Sequence, residues 1–241
     1  DGTKIEANAN KYTWVWKKSC IKNRDKMFSK ITELINSMNS EVLHLLGVKF
    51  ETREEYAIEY LETLLERYSD IVSLDISTFV NGRGHRKSLH QKQYEEMSDY
   101  INRLKNYAKH IEICGESRNS YSKTDHDATF MRIKTDYMGN DQLLPAYNMQ
   151  AAICDEYIAV IDAKPYASDM ECFIPLMEKF NELYSHYPKS PVADAGYGSY
   201  NNYLYCEEHG MEKYMKFTMF EKETKDNKYH NNPYRIINFK R

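Results

Sequence analysis

The stretch VADAGYGSYNNY, residues 192–203, sets an aspartate at the end of a short apolar run. Gly196 and Gly198 follow Asp194, and Ser199 stands where a helix would be capped. In open α/β sheets, ligands bind beyond the carboxyl ends of strands, so Asp194 is placed to hold a metal ion. The plainer reading is that Asp194 caps a turn eased by the glycines. Asp1, ahead of the strand-like GTKIEA, raises the same question. Two aspartates at the ends of neighbouring strands would bridge hard divalent ions, and such pairs activate water or a hydroxyl for in-line attack on phosphorus.

Other constellations are weaker. TDHDATFMRIK, residues 124–134, contains an HD pair. Such pairs serve metal phosphohydrolases, but on helices and with further histidine ligands. Here the flanks are strand-like, so Asp125, His126 and Asp127 read as structural or supporting residues, and a standalone phosphohydrolase built on them ranks last. The remaining histidines show no metal spacing. GYGS is not GxSxG, and neither a Walker loop nor a dinucleotide fingerprint is present. The five cysteines are scattered without a CxxC pair, which suggests reduced thiols in a cytoplasm-like compartment. Lys17, Lys18, Lys22, Arg24 and Lys26 form one basic cluster, and Arg83, Arg86 and Lys87 another. Either could meet DNA phosphates, although a solvated face is the ordinary explanation.

The elements that must position these residues fall into three zones. Residues 1–20 are strand-like, rich in Thr, Val, Tyr and Trp. Residues 21–120 are helical. One helix carries Met27, Ile31, Leu34, Ile35 and Met38 at helical spacing. A second is expected from Thr52, with Glu55 completing a capping box and Leu61, Leu64, Leu65 and Tyr68 on its apolar face. A third carries Met97, Ile101 and Leu104 and stops at Gly115. The basic loop NGRGHRK separates the last two. Residues 121–241 alternate strands with helices. YNMQAAIC and EYIAVIDA read as a strand pair turning near Asp155. A helix is expected from Ser168 with a second capping box at Glu171, then a strand over PVADA, a helix over 200–209 closed by Gly210, and a strand over 213–220. That order is α/β with a mixed sheet.

The bulk numbers fit a soluble, folded chain. It has 241 residues, 41% of them hydrophobic and 29% charged, enough length to bury a core. No apolar run approaches the roughly 18 residues of a membrane helix. The net charge of −3 argues against a broadly basic nucleic-acid binder, so any DNA contact must come from local patches.

Four stretches, DGTKIEANANKYTWVWKKS, RNSYSKTDHDATFMRIK, LLPAYNMQ and VADAGYGSYNNYLY, together resemble the catalytic domain of bacterial insertion-sequence transposases of the DDE class. The resemblance spans nearly the whole chain, with the blocks in family order. It implies an RNase H-like mixed sheet with flanking helices, formed by residues 1–20 and 121–241, and interrupted by an all-α helical insertion over 21–120. It implies that Asp1 and Asp194 are catalytic and hold two Mg²⁺ or Mn²⁺ ions, and that the partners are transposon-end and target DNA, with a homodimer as a further expectation. It also implies a cytoplasmic, nucleoid-associated protein and a reaction of strand cleavage and strand transfer. The family's third acid, a glutamate on a later helix, has no match here: Glu207, Glu208, Glu221 and Glu223 sit in no corresponding motif. Hence the expectation of an internal piece of a transposase, incomplete at both ends, inactive alone, with apolar surface exposed beside its first strand. The alternative expectation is a non-catalytic interaction or dimerisation module.

Overall fold

A computed structural model of the chain describes residues 2–82, 86–133, 139, 141–220 and 225. The chain divides into two compact units, Val15–Ser120 and the combination of Asp1–Trp14 with Tyr121–Arg241.

The first unit is built from α1 (Lys17–Leu46), α2 (Ile58–Ile71) and α3 (Leu89–Cys114). Their apolar residues recur every three or four positions, so each helix presents one apolar stripe. The stripes meet in a single core. Ile31, Ile35 and Met38 of α1 are fully buried there with Leu61 and Tyr68 of α2 and Met97 of α3. Ser88 caps α3 by accepting from the Gln91 N–H at 3.1 Å. Gly115 ends it at φ 61°, a conformation that favours glycine. The helix expected from Thr52 begins instead at Ile58, and its Ala57 N-cap makes no side-chain bond. Contacts with α1 hold the preceding segment outside the helix. The Asn39 side chain brackets Phe50, accepting from its N–H at 2.7 Å and donating to its C=O at 2.9 Å. The Tyr56 hydroxyl accepts from Arg53 N–H at 3.0 Å and meets Thr32 Oγ1 at 2.7 Å. A capping box contributes on the order of 1 kcal/mol and is outweighed by burial of Phe50 and Tyr56.

The second unit is α/β. Its main sheet contains β1 (Gly2–Glu6), β4 (Thr129–Arg132), β5 (Leu143–Cys154) and β6 (Tyr157–Lys164), all antiparallel to their neighbours. The long β5 is the axis. β1 pairs with it from Gly2↔Gln150 to Glu6↔Ala146. Because Ala146 pairs with both Glu6 and Thr129, and Asn148 with both Lys4 and Lys164, β4 and β6 follow one another along the opposite edge. β5 and β6 join through Asp155 and Glu156, both at positive φ (47° and 71°), the geometry of a tight hairpin turn. β2 (Trp14–Trp16) pairs with β3 (Ser120–Ser122).

The helix expected from Ser168 starts later. Asp169–Cys172 is a 3₁₀ turn, and α4 (Phe173–Tyr184) follows it. Next come β7 (Val192–Ala193), a second 3₁₀ turn at Ala195–Tyr197, α5 (Tyr200–Glu208) and β8 (Tyr214–Met215). β7 and β8 pair in parallel, Val192↔Tyr214 and Ala193↔Met215. The strand expected over 213–220 is thus confined to two residues. Ser199 caps α5 as expected, accepting from the Asn202 N–H at 3.1 Å. The apolar face of α4 packs with Val160, Tyr197, Cys206 and Met211 into one cluster. No helix among the described residues is long and apolar enough to cross a membrane.

Candidate active site

Asp194 follows β7 directly and opens the Ala195–Tyr197 turn. Its Oδ1 accepts from the Gly196 N–H at 2.7 Å, an aspartate turn that fixes the carboxylate while leaving the residue exposed. Gly198 closes the turn by close approach. A side chain there would overlap the Lys216 carbonyl oxygen and stand 2.7 Å from the Tyr203 hydroxyl. The glycine required here is therefore a packing glycine.

A buried polar chain ties this turn to the sheet. The Tyr197 hydroxyl donates to Gln150 Oε1. Gln150 Nε2 donates to Asn148 Oδ1 at 2.8 Å and to Asp169 Oδ1 at 3.2 Å. Asn148 Nδ2 donates to the same Asp169 oxygen at 2.7 Å. Asn148 and Gln150 are wholly buried, so these bonds replace the water each amide gave up on folding. Gly2, opposite Gln150, leaves room for its side chain, which any Cβ at Gly2 would overlap.

The consequence is a pair of carboxylates. A methyl group placed on Gly196 would stand 2.9 Å from Asp194 Oδ1 and 3.8 Å from Asp169 Oδ2. The two acids therefore flank one small residue. The field around them is negative: burial first, then Asp169 and Asp194, push the Tyr197 phenol up from its ordinary value. The Cys172 thiol is pushed up to about 12 by burial and then by Asp169. Hard carboxylate oxygens in a negative field fit a divalent cation such as Mg²⁺ or Mn²⁺ in donor type and charge. Among the described residues, no three His, Cys, Asp or Glu side chains converge as a metal cluster.

Of the residues singled out in the sequence, Asp194 stands at this site, whereas Asp1 lies outside the described residues. Asp169 was not singled out. It stands where β6 hands over to a helix, as Asp194 does after β7, and that shared strand-to-helix position is the signal that marks it. Glu207 is held by Lys213, which draws its carboxyl below the usual range. Glu208 is exposed on α5, and Glu221 and Glu223 lie outside the described residues.

Asp125 is a turn residue. Its Oδ1 accepts from the Asp127 N–H at 3.1 Å and its Oδ2 from the Tyr147 hydroxyl, while the His126 ring stands edge-on to Tyr121 with centroids 5.2 Å apart. With both of its carboxylate oxygens engaged, Asp125 serves the turn. The basic residues divide likewise. Lys17 Nζ donates to the Gly115 carbonyl at 2.5 Å, and Lys87 pairs with Glu95 at 2.5 Å. Lys18 and Arg86 are exposed, and Arg83 lies outside the described residues.

Searches of curated proteins and of solved structures returned no match. The family model described as "Transposase DDE domain" matches residues 118–240, just over half of the 241-residue chain. The matched region holds the Asp169 and Asp194 turns and the two buried amides that join them. By this match, and in agreement with the motifs read from its sequence, the chain belongs to the DDE transposase domain family.

Proposed function

We propose that this chain belongs to a transposase whose reaction is divalent-metal-dependent DNA strand cleavage and strand transfer at insertion-sequence ends, on an RNase H-like core with Asp1 and Asp194 as metal ligands, and that these 241 residues alone are inactive in strand transfer because none of their glutamates matches the family's third acid. When bound, Mg²⁺ or Mn²⁺ supplies an activated water or 3′-hydroxyl nucleophile and shields the leaving oxygen. The Gly196 N–H holds one Asp194 oxygen in place, and Asp194 is exposed. Asp169, held by two buried amides, adds negative charge beside it. Exposed Lys18, Lys22, Lys26 and Arg86 are described members of the two basic patches and are open to DNA phosphates.

The observation that carries this reading is the position of Asp194: at the end of a strand, beside a second fixed carboxylate, inside the matched domain. Calorimetric titration of the chain with Mn²⁺ tests it. Binding is expected in the parent chain and in Asp125→Asn, and is expected to be lost in Asp194→Asn with its circular dichroism unchanged. Mn²⁺ binding that survives Asp194→Asn would overturn the assignment and favour a non-catalytic interaction module.

A further inference from the structure

β7 and β8 run in parallel, with Val192 opposite Tyr214 and Ala193 opposite Met215. Asp194 is the next residue on one segment and Lys216 the next on the other, so the two leave the strand pair side by side at the same end. Ala193 and Met215 pack against the cluster that holds Phe173, Met177 and Tyr197. Side chains alternate between the faces of a strand, so Val192, Asp194, Tyr214 and Lys216 share the opposite, outward face. All four line one groove of about 760 Å³. The segment after β8 is fixed to the Asp194 turn. Thr218 Oγ1 donates to the Gly198 carbonyl at 3.3 Å, and the Lys216 carbonyl lies where a side chain on Gly198 would stand.

The groove sets an aromatic ring, a cation and a carboxylate next to one another. Tyr214 and Val192 are 58% and 79% exposed, an apolar surface left in water beside the acid. Lys213 also lines the groove, but Glu207 holds it. Lys216 is exposed and pairs with no carboxylate among the described residues; its ammonium stands 5.9 Å from the centroid of the Phe220 ring. Neither basic patch read from the sequence includes it. Tyr214 and Lys216 are two residues apart on one segment, about 6.6 Å at strand rise, a span that one nucleotide covers from base to phosphate.

We propose that this groove seats one unpaired nucleotide of a DNA strand, its base stacked on the Tyr214 ring and its phosphate at the Lys216 ammonium, beside the Asp194 carboxylate. The proposal rests on the reading of the chain as one that acts on DNA, and it adds a strand seat that the reading leaves unassigned. A ring next to a cation suits single strands, because every base has a π-face and every nucleotide a charge. A duplex gains less here, since its bases stack on one another and leave the Tyr214 ring without a partner. Lys216 also offsets the repulsion that Asp194 exerts on a phosphate brought beside it.

Fluorescence anisotropy of the full chain with a labelled oligothymidylate, in EDTA, tests this. Tyr214→Ala is expected to weaken binding about tenfold, whereas Tyr214→Phe, which keeps the ring, binds as the parent does. Lys216→Gln is expected to weaken binding and to flatten the log–log salt dependence by about 0.7, the loss of one single-strand phosphate contact, and Lys216→Arg to restore both. Binding of a duplex of the same length should not respond to Tyr214→Ala. Parent-like binding by both Tyr214→Ala and Lys216→Gln would overturn the proposal, as would a parent chain that does not bind the oligonucleotide. Losses in Tyr214→Phe and Lys216→Arg as deep as in Tyr214→Ala and Lys216→Gln would also overturn it, by making both residues structural. An equal loss on the duplex would do the same, by making the groove a contact for the duplex backbone. EDTA removes divalent metal, so this result and the Mn²⁺ titration of Asp194→Asn are independent, and either reading can fail while the other stands.

Discussion

The hydroxyl of Tyr197 donates to Oε1 of Gln150, linking the turn that presents Asp194 to the central strand that pairs with β1. Both residues are buried, at 4% and 0% exposure. The position of the exposed acid is thus set by a bond formed inside the protein. Tyr197→Phe leaves the Gln150 oxygen buried without its donor, a loss of about 1–3 kcal/mol. Urea unfolding of the variant should show that drop with an unchanged slope. A loss below about 0.5 kcal/mol, the usual range for surface changes, would mean that the link does not hold the turn.

Gly198 is the more rigid part of the same turn. The atom a side chain would overlap is the backbone carbonyl of Lys216, which cannot rotate away. At Gly2 the overlap is with the end of the Gln150 side chain, which can. Gly198→Ala should therefore cost about 1–3 kcal/mol through overpacking. Gly2→Ala should cost less but displace Gln150 from Asp169. The two are told apart by thermal melts together with Mn²⁺ titration. Gly198→Ala lowers the melting temperature more, whereas Gly2→Ala weakens metal binding at a smaller loss of stability.

Much of the architecture follows from local pattern. Ile31, Ile35 and Met38, Leu61 and Tyr68, and Met97, Ile101 and Leu104 lie on the buried faces their spacing assigns. The β5–β6 hairpin turns where Asp155 interrupts the apolar runs. What was not legible depends on distant partners. Thr52–Glu55 and Ser168–Glu171 have the composition of capping boxes, yet both helices start later. The first start is displaced by Asn39 and Thr32 of α1, and the second coincides with Asp169 being drawn to amides 19 and 21 positions away. For the same reason Asp194 could be found from its motif, whereas Asp169 gains meaning only when Asn148 and Gln150 are brought to it.

Asp169→Asn isolates the charge from the fold. An asparagine keeps the Oδ1 that accepts from Asn148 and Gln150, so the buried amides stay paired and stability should change little. What is lost is one negative charge beside Asp194. Mn²⁺ affinity, measured calorimetrically, should fall about 10- to 100-fold, as for groups that support a metal ligand. Asp169→Ala, which strips both amides of their acceptor, should destabilise as well. Unchanged affinity in Asp169→Asn would show that the metal responds to Asp194 alone.

Alkaline pH probes the Asp125 turn. The Tyr147 phenol is pushed up to about 12, by burial first and then by its bond to the Asp125 carboxylate, from an ordinary value of 10.0. The folded state therefore holds the proton more tightly than the unfolded chain. The stabilisation is complete below pH 10.0 and is lost as pH rises from there through about 12, because the unfolded chain releases the proton first. Urea midpoints should decline over that window, and part of the decline should disappear in Tyr147→Phe. Tyr147→Phe should also leave Mn²⁺ binding unaltered, since Asp125 stabilises a turn and the proposed metal ligand is Asp194. If Tyr147→Phe reduced metal affinity as much as Asp194→Asn, the Asp125–Asp127 turn would belong to the metal site, and the division between structural and metal-holding acids would fail.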